Sequence, residues 1–116
     1  MTLHTVAVDI AAWQTETFGP PRQRTGPVEH MAKEVRELHA TLDVLRVCTP
    51  GSPQHAYYHA DALKELADVF HLMVQVASDL GATPDTFAAA VERKLAVNRQ
   101  RKWKAPDARG IVEHVK

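Results

Sequence analysis

With 116 residues, 14 basic and 14 acidic groups and hence no formal net charge, the chain has room for one domain with a modest core, and a helical array this small gains stability by self-association. The charge balance excludes the broad positive surface that nucleic-acid polymers and anionic membranes need, the only locally basic stretch being residues 99–104. The lone cysteine, Cys48, excludes an internal disulfide and fits a reducing cytoplasm.

In chain order, Val6, Ile10 and Trp13 recur at helical spacing within residues 5–18, and Gly19-Pro20-Pro21 ends the pattern. This predicts a short amphipathic first helix. Its apolar part is interrupted by Asp9 and lacks a basic leader, so no signal peptide is expected, and no apolar run in the chain reaches the roughly 18 residues of a membrane span. Residues 20–26 carry Arg22 and Arg24 between prolines and a glycine and read as a solvated connection. Pro27 suits the first turn of a second helix. Val28, Met31, Val35, Leu38, Leu42 and Leu45 follow at alternating steps of four and three, the seam of a helix packed lengthwise on others.

Thr49-Pro50-Gly51-Ser52-Pro53 breaks the pattern, and a third helix resumes before or around Ala60. Leu63, Leu66, Ala67, Phe70, Val74, Ala77 and Leu80 form its expected apolar stripe, with Gly81 just past its end. Thr83-Pro84-Asp85 then reads as a cap, a first-position proline and an acid in the first turn. Phe87, Val91, Lys94, Asn98 and Arg101 continue one another at steps of four and three, so the line turns from apolar to polar without changing phase. Beyond Trp103, Pro106 and Gly110 suggest an irregular tail over residues 105–116, with a short element at residues 111–115. No alternating strand pattern and no internal repeat stands out. The expectation is an all-α single domain of four main helices.

The chemistry-bearing residues lie on the second and third helices. Glu34 and Glu37 are three residues apart, as are Glu65 and Asp68, and on a helix such residues are neighbours on one face. Two such helices side by side make a four-carboxylate cage. Oxygen-only ligands suit a hard cation such as Mg²⁺ or Mn²⁺, often shared with the phosphates of a substrate. Taken alone, Glu-x-x-Glu and Glu-x-x-Asp are common strings on solvated helix faces, and Lys33 with Glu37 is an ordinary four-apart ion pair. The acids nevertheless border the apolar seams, where a half-buried ligand sits, and Ala67 between Glu65 and Asp68 lets a neighbouring helix approach.

The joint pattern is more specific than its parts. Thr17-Phe18-Gly19-Pro20 after Trp13, His30-x-x-Lys33-Glu34-x-x-Glu37, a gap of 27 residues, Glu65-Leu66-Ala67-Asp68-Val69 and Lys94-x-x-x-Asn98-x-x-Arg101-x-Trp103 resemble the MazG-like all-α nucleoside triphosphate pyrophosphohydrolases. Within them the pattern resembles the branch of dATP/dGTP pyrophosphohydrolases, frequent in phages and bacteria. The resemblance covers residues 10–104 and is least clear at residues 47–59. It implies a helical bundle completed by oligomerisation as a homodimer or homotetramer. It also implies Mg²⁺ held by Glu34, Glu37, Glu65 and Asp68, and a purine deoxynucleoside triphosphate contacted by Lys94, Asn98 and Arg101. Water then attacks the α-phosphorus and pyrophosphate leaves, with Glu37 the chosen proton acceptor and Lys94 a catalytic cation.

Other residues keep two readings. Lys94, Asn98 and Arg101 also fit a solvated helix end whose cations complement the dipole. Trp13 is a core residue or a platform for a base, and Trp103 covers a helix end. His55 and His59 are four apart without a third ligand nearby, which favours a solvated or interface pair over zinc. His30, one turn before Glu34, is placed to orient it. Cys48 has no motif partner.

Rival functions are a di-iron carboxylate bundle, which wants Glu-x-x-His motifs that the chain lacks, and a non-catalytic helical interaction module. The same fold acting on dUTP or phosphoribosyl-ATP is a further alternative.

Overall fold

The computed structural model describes residues 1–116 and is all-helical, with α1 at Leu3–Phe18, α2 at Gly26–Leu45, α3 at Pro53–Asp79 and α4 at Pro84–Gln100. No helix is long and apolar enough to cross a membrane. The chain forms two compact units, Met1–Pro84 and Asp85–Lys116.

In the first unit α3 is the central element, packed along α2 on one side and against α1 on another. The α1 helix opens on a reciprocal cap in which the Thr5 backbone N–H donates to Thr2 Oγ1 (3.1 Å) and the Thr2 N–H donates to Thr5 Oγ1 (2.9 Å). It buries Ala7 and Ile10 against Val74 of α3, with Val6, Ala11 and Phe70 packed around them. Gly19, at φ 91°, ends it in a conformation that favours glycine. The connection that follows differs from the solvated segment expected. Arg24 Nε donates to Asp79 Oδ2 at 2.7 Å and the Arg22 backbone N–H donates to Asp79 Oδ1 at 3.3 Å, so the loop is tied to the last residue of α3. Asp79 is nearly buried, and a carboxylate taken out of water requires such a partner.

The α3 helix resumes before Ala60, as expected, and begins at Pro53. Ser52 caps it, its Oγ accepting from the His55 N–H at 3.1 Å, and Pro53 occupies the first turn. The Ser-Pro pair that looked like part of the breaker is the start signal.

The seam between α2 and α3 also differs in phase from the one predicted. On α2 the residues withdrawn from solvent are Pro27, Met31, Glu34, Leu38, Thr41 and Leu45, while Val28, Val35 and Leu42 stay exposed. On α3 they are Tyr58, Ala62, Glu65, Val69 and Leu72, while Leu63 and Leu66 stay exposed. Each helix carries two adjacent apolar lines, and reading every apolar residue into one stripe merged them. The helices run antiparallel, Thr41 meeting Asp61 (Oγ1 to Oδ2, 3.3 Å) and Glu34 meeting Glu65. Ala62 lies within this contact, whereas Ala67 is exposed, so it is not the close-approach residue expected.

In the second unit α4 buries none of its residues, and Val91, Leu95 and Val97 are about half exposed. The expected irregular tail folds back on itself. Trp103 and His114 form an isolated antiparallel bridge, flanked by Lys104 N–H to Glu113 O (2.9 Å) and Val115 N–H to Lys102 O (2.7 Å). The reversal is set by Asp107, whose Oδ1 accepts from the Arg109 and Ile111 N–H groups at 2.8 and 2.9 Å, an Asx-type turn that the sequence reading overlooked.

Candidate functional site

The carboxylates meet because two charged residues occupy seam positions. Glu34 stands between Met31 and Leu38 in the α2 register, and Glu65 between Ala62 and Val69 in that of α3, so packing the apolar neighbours drives the two acids together. They do not merely border the seam as expected; they are part of it. Glu37, one turn along α2 and exposed, completes a group in which one oxygen from each residue lies within 4.8 Å of the other two. Asp68 stands one turn beyond Glu65 and lines a cavity with Glu34. The structure thus gathers three of the four predicted ligands into one cluster and puts the fourth on the adjoining wall.

The electrostatics are those of crowded like charges. Burial raises the Glu65 carboxyl above its ordinary range, and the hydrogen bond to Glu34 with the charges of Glu37, Glu34 and Asp61 raises it further. Burial acts in the same sense on Glu34, but hydrogen bonds with Glu65, Glu37 and His30, together with the charge of His30, outweigh it and hold that carboxyl below its ordinary range. Of the two carboxyls, Glu65 therefore holds its proton more tightly and Glu34 less tightly than an ordinary carboxyl. Glu65 Oε2 is buried and no donor reaches it. His30 Nε2–H donates to Glu34 Oε1 at 3.1 Å, the orienting contact expected of it.

Beside the cluster lies a cavity of about 310 Å³ walled by Trp13, Gln14, Phe18, Glu34, Asp68 and His71, among others. Trp13 is 49% exposed and packs edge to face with Phe18 at 5.3 Å and with His71 at 6.2 Å. It is therefore a wall of the cavity and not a core residue; the core position on that turn of α1 belongs to Gln14.

Lys94, Asn98 and Arg101 belong to the second unit. Lys94 is exposed on α4, Asn98 is half-buried with an Oδ1 that no donor reaches, and Arg101 lies just past the helix end. The Asn98 backbone oxygen accepts from the Arg101 N–H (3.3 Å) and from the Trp103 indole N–H (2.9 Å), so Trp103 covers the end of α4 as expected. His55 and His59 stack on α3 with centroids 6.2 Å apart, and the Cys48 thiol donates to the Val44 backbone oxygen.

Three participants escaped the sequence reading. Asp61 stands four residues before Glu65, a spacing as readable as the Glu-x-x-Asp string beside it. Gln14 occupies the α1 position seven after Ala7, a polar residue in core phase. His71 had no signal, because its role follows from where α1 crosses α3. No protein-family model, curated protein or solved structure matches the chain.

Proposed function

We propose that the chain is a Mg²⁺-dependent nucleoside triphosphate pyrophosphohydrolase of the MazG-like kind, converting a purine deoxynucleoside triphosphate, dATP or dGTP, to its monophosphate and pyrophosphate in the cytoplasm. The observation that carries this reading is the meeting of Glu34, Glu37 and Glu65 within 4.8 Å, with one Glu65 oxygen buried and lacking a donor. Like charges so close repel, and a cation or a shared proton relieves that repulsion. The donor set is all oxygen, as Mg²⁺ and Mn²⁺ prefer, so the residues present fit the ion. The motif resemblance adds the substrate class and the purine preference.

In this reading Glu34, Glu37, Glu65 and Asp68 hold the metal, which when bound offsets triphosphate charge and makes a water more acidic. His30 fixes the Glu34 carboxylate through its Nε2–H. Glu37 is the exposed member of the cluster and accepts the proton of the attacking water at a carboxylate oxygen, from which bulk solvent can take it. The water attacks the α-phosphorus and pyrophosphate departs. Lys94 and Arg101 offset phosphate charge and Asn98 donates to phosphate oxygens, roles that rest on their residue types and the motif. Trp13, half-exposed on the cavity wall, serves as a platform for the base.

Self-association as a homodimer or homotetramer belongs to the same reading. Val28, Val35 and Leu42 on α2, and Leu63 and Leu66 on α3, each lie one position past the seam of an antiparallel pair and so share a side of it, uncovered. The same exposed line favours the second reading, a non-catalytic helical interaction module. Turnover separates them. The eight common ribo- and deoxyribonucleoside triphosphates are incubated with Mg²⁺, and pyrophosphate is distinguished from orthophosphate. Pyrophosphate from dATP or dGTP supports the enzyme and its base choice, and preference for dUTP or phosphoribosyl-ATP in an extended panel moves the substrate within the same fold. No release from any of them favours the module.

A further inference from the structure

His71 lines the cavity of about 310 Å³ together with Trp13, Phe18, Glu34 and Asp68, and it is exposed, so a molecule lodged there can reach its ring. That volume is at the lower end of the roughly 300–1,000 Å³ of small-molecule sites. His71 follows Asp68 by three residues on α3, which makes the two neighbours on one face of the helix. On its other side the ring meets Trp13 edge to face, with centroids 6.2 Å apart. The imidazole thus stands between the aromatic wall and the carboxylate wall of one cavity. Its backbone is held there, because the Gln14 Nε2–H donates to the His71 backbone oxygen at 2.8 Å and ties this turn of α3 to α1. No hydrogen bond within the chain uses the ring nitrogens. A neutral imidazole therefore offers the cavity one donor and one acceptor.

The geometry points to His71 as the residue that reads the sugar, an imidazole nitrogen hydrogen-bonded to the 3′-hydroxyl of the bound deoxynucleotide. This rests on the hydrolase reading above, with Trp13 against the base and the cation beside Glu34 and Asp68, and it specifies the substrate further. In a nucleoside triphosphate the sugar links the base to the phosphates, so a group set between the base platform and the metal carboxylates meets the sugar. A 3′-hydroxyl both donates and accepts, and it suits the imidazole in either tautomer. The 2′,3′-dideoxynucleotide keeps the base and the triphosphate and lacks only this partner. Because His71 is exposed, its nitrogen returns to water when the hydroxyl is missing. The discrimination is therefore that of one solvated hydrogen bond, not the far larger factor seen where a buried polar group is left unpaired.

The test compares kcat/KM within two pairs, dATP with ddATP and dGTP with ddGTP, on the native protein with Mg²⁺. The expected result is a preference of at least about threefold for the 3′-hydroxyl member of one pair, carried by KM more than by kcat, since the bond is made before and during the chemical step alike. In His71→Phe, which keeps a ring against Trp13 but has no nitrogen, the ratio should fall to about one; in His71→Gln, which restores a donor and an acceptor, it should return in part. Circular dichroism checks that each variant folds, and His71→Ala replaces His71→Phe if the latter does not. A preference that persists undiminished in the folded variant without a side-chain nitrogen overturns the assignment. Equal kcat/KM within both pairs on the native protein also overturns it, while the hydrolase reading stands. No turnover of any of the four removes the hydrolase reading and the assignment with it.

Discussion

The two sides of α3 are packed by opposite means. Towards α1, Val74 closes with Ala7 and Ile10 into an apolar cluster in which Val74 retains only 3% exposure. Towards α2, the seam sets Glu65 against Glu34, with Asp61 against Thr41 a turn away. The first contact gains from every atom it removes from water. The second places like charges where a Leu-Leu layer would have stabilised the same helix pair. A local rule broken at seam positions, next to a cavity, is what the proposed site requires, with stability given up for chemistry.

The largest effect that separates the two sides is on turnover. Glu37→Ala or Asp68→Ala is expected to lower it by about a hundredfold or more with helicity retained by circular dichroism, since losing a metal anchor removes transition-state stabilisation. Normal turnover in either variant at limiting Mg²⁺ would remove that residue from the site. Ile10→Ala breaks the other side. Denaturant titration should show a loss of about 2–4 kcal/mol, the usual cost of deleting a buried aliphatic side chain, while the Mg²⁺ dependence of what remains folded is unchanged.

The opposite shifts of Glu65 and Glu34 give a third comparison. Glu65, raised in the folded chain, binds its proton more tightly there than in the unfolded chain. Its contribution is therefore full below the ordinary carboxylate range and lost as pH rises through the raised value. Glu34, lowered when folded, contributes above the ordinary range, and that is lost as pH falls through the lowered value. In Mg²⁺-free buffer Tm should thus fall as pH climbs past the ordinary carboxylate range, and Glu65→Gln should remove that slope. Mg²⁺ bound as proposed would compete with the proton on Glu65, so its stabilising shift should grow over the same interval. A Mg²⁺ shift independent of pH would separate the proton from the cation site.

The smallest effect on the single chain is expected at Val35→Ser, on the uncovered line beside the seam. Stability should change by no more than about 0.5 kcal/mol, whereas sedimentation should show weaker self-association. An unchanged assembly would exclude that line from the oligomer contact.

Much of the fold was legible in the residues because strong local signals agree. Pro27, Gly81 and the Thr83-Pro84-Asp85 cap mark helix ends where the structure has them, and the spacing of the acids foretold which helices would carry a cluster. What was illegible was phase. Val35 and Glu34 are adjacent, and only the partner helix decides which of them turns inward; hydropathy voted for valine and the pairing chose glutamate. The same limit hid Gln14, because Trp13 is the more apolar neighbour and a single-helix pattern assigns it the core. Ser52-Pro53 was misread for a different reason, since a proline next to a breaker and a proline in a first turn are the same letters until the Ser52 cap is seen.

The most direct test of the central claim is the dependence of pyrophosphate release from dATP and dGTP on Mg²⁺ concentration, in the native chain and in Glu34→Gln. The account predicts release that saturates with Mg²⁺, vanishes on chelation, returns with Mn²⁺ and is largely lost in the variant. Release indifferent to chelation, or none at any Mg²⁺ concentration, would contradict it.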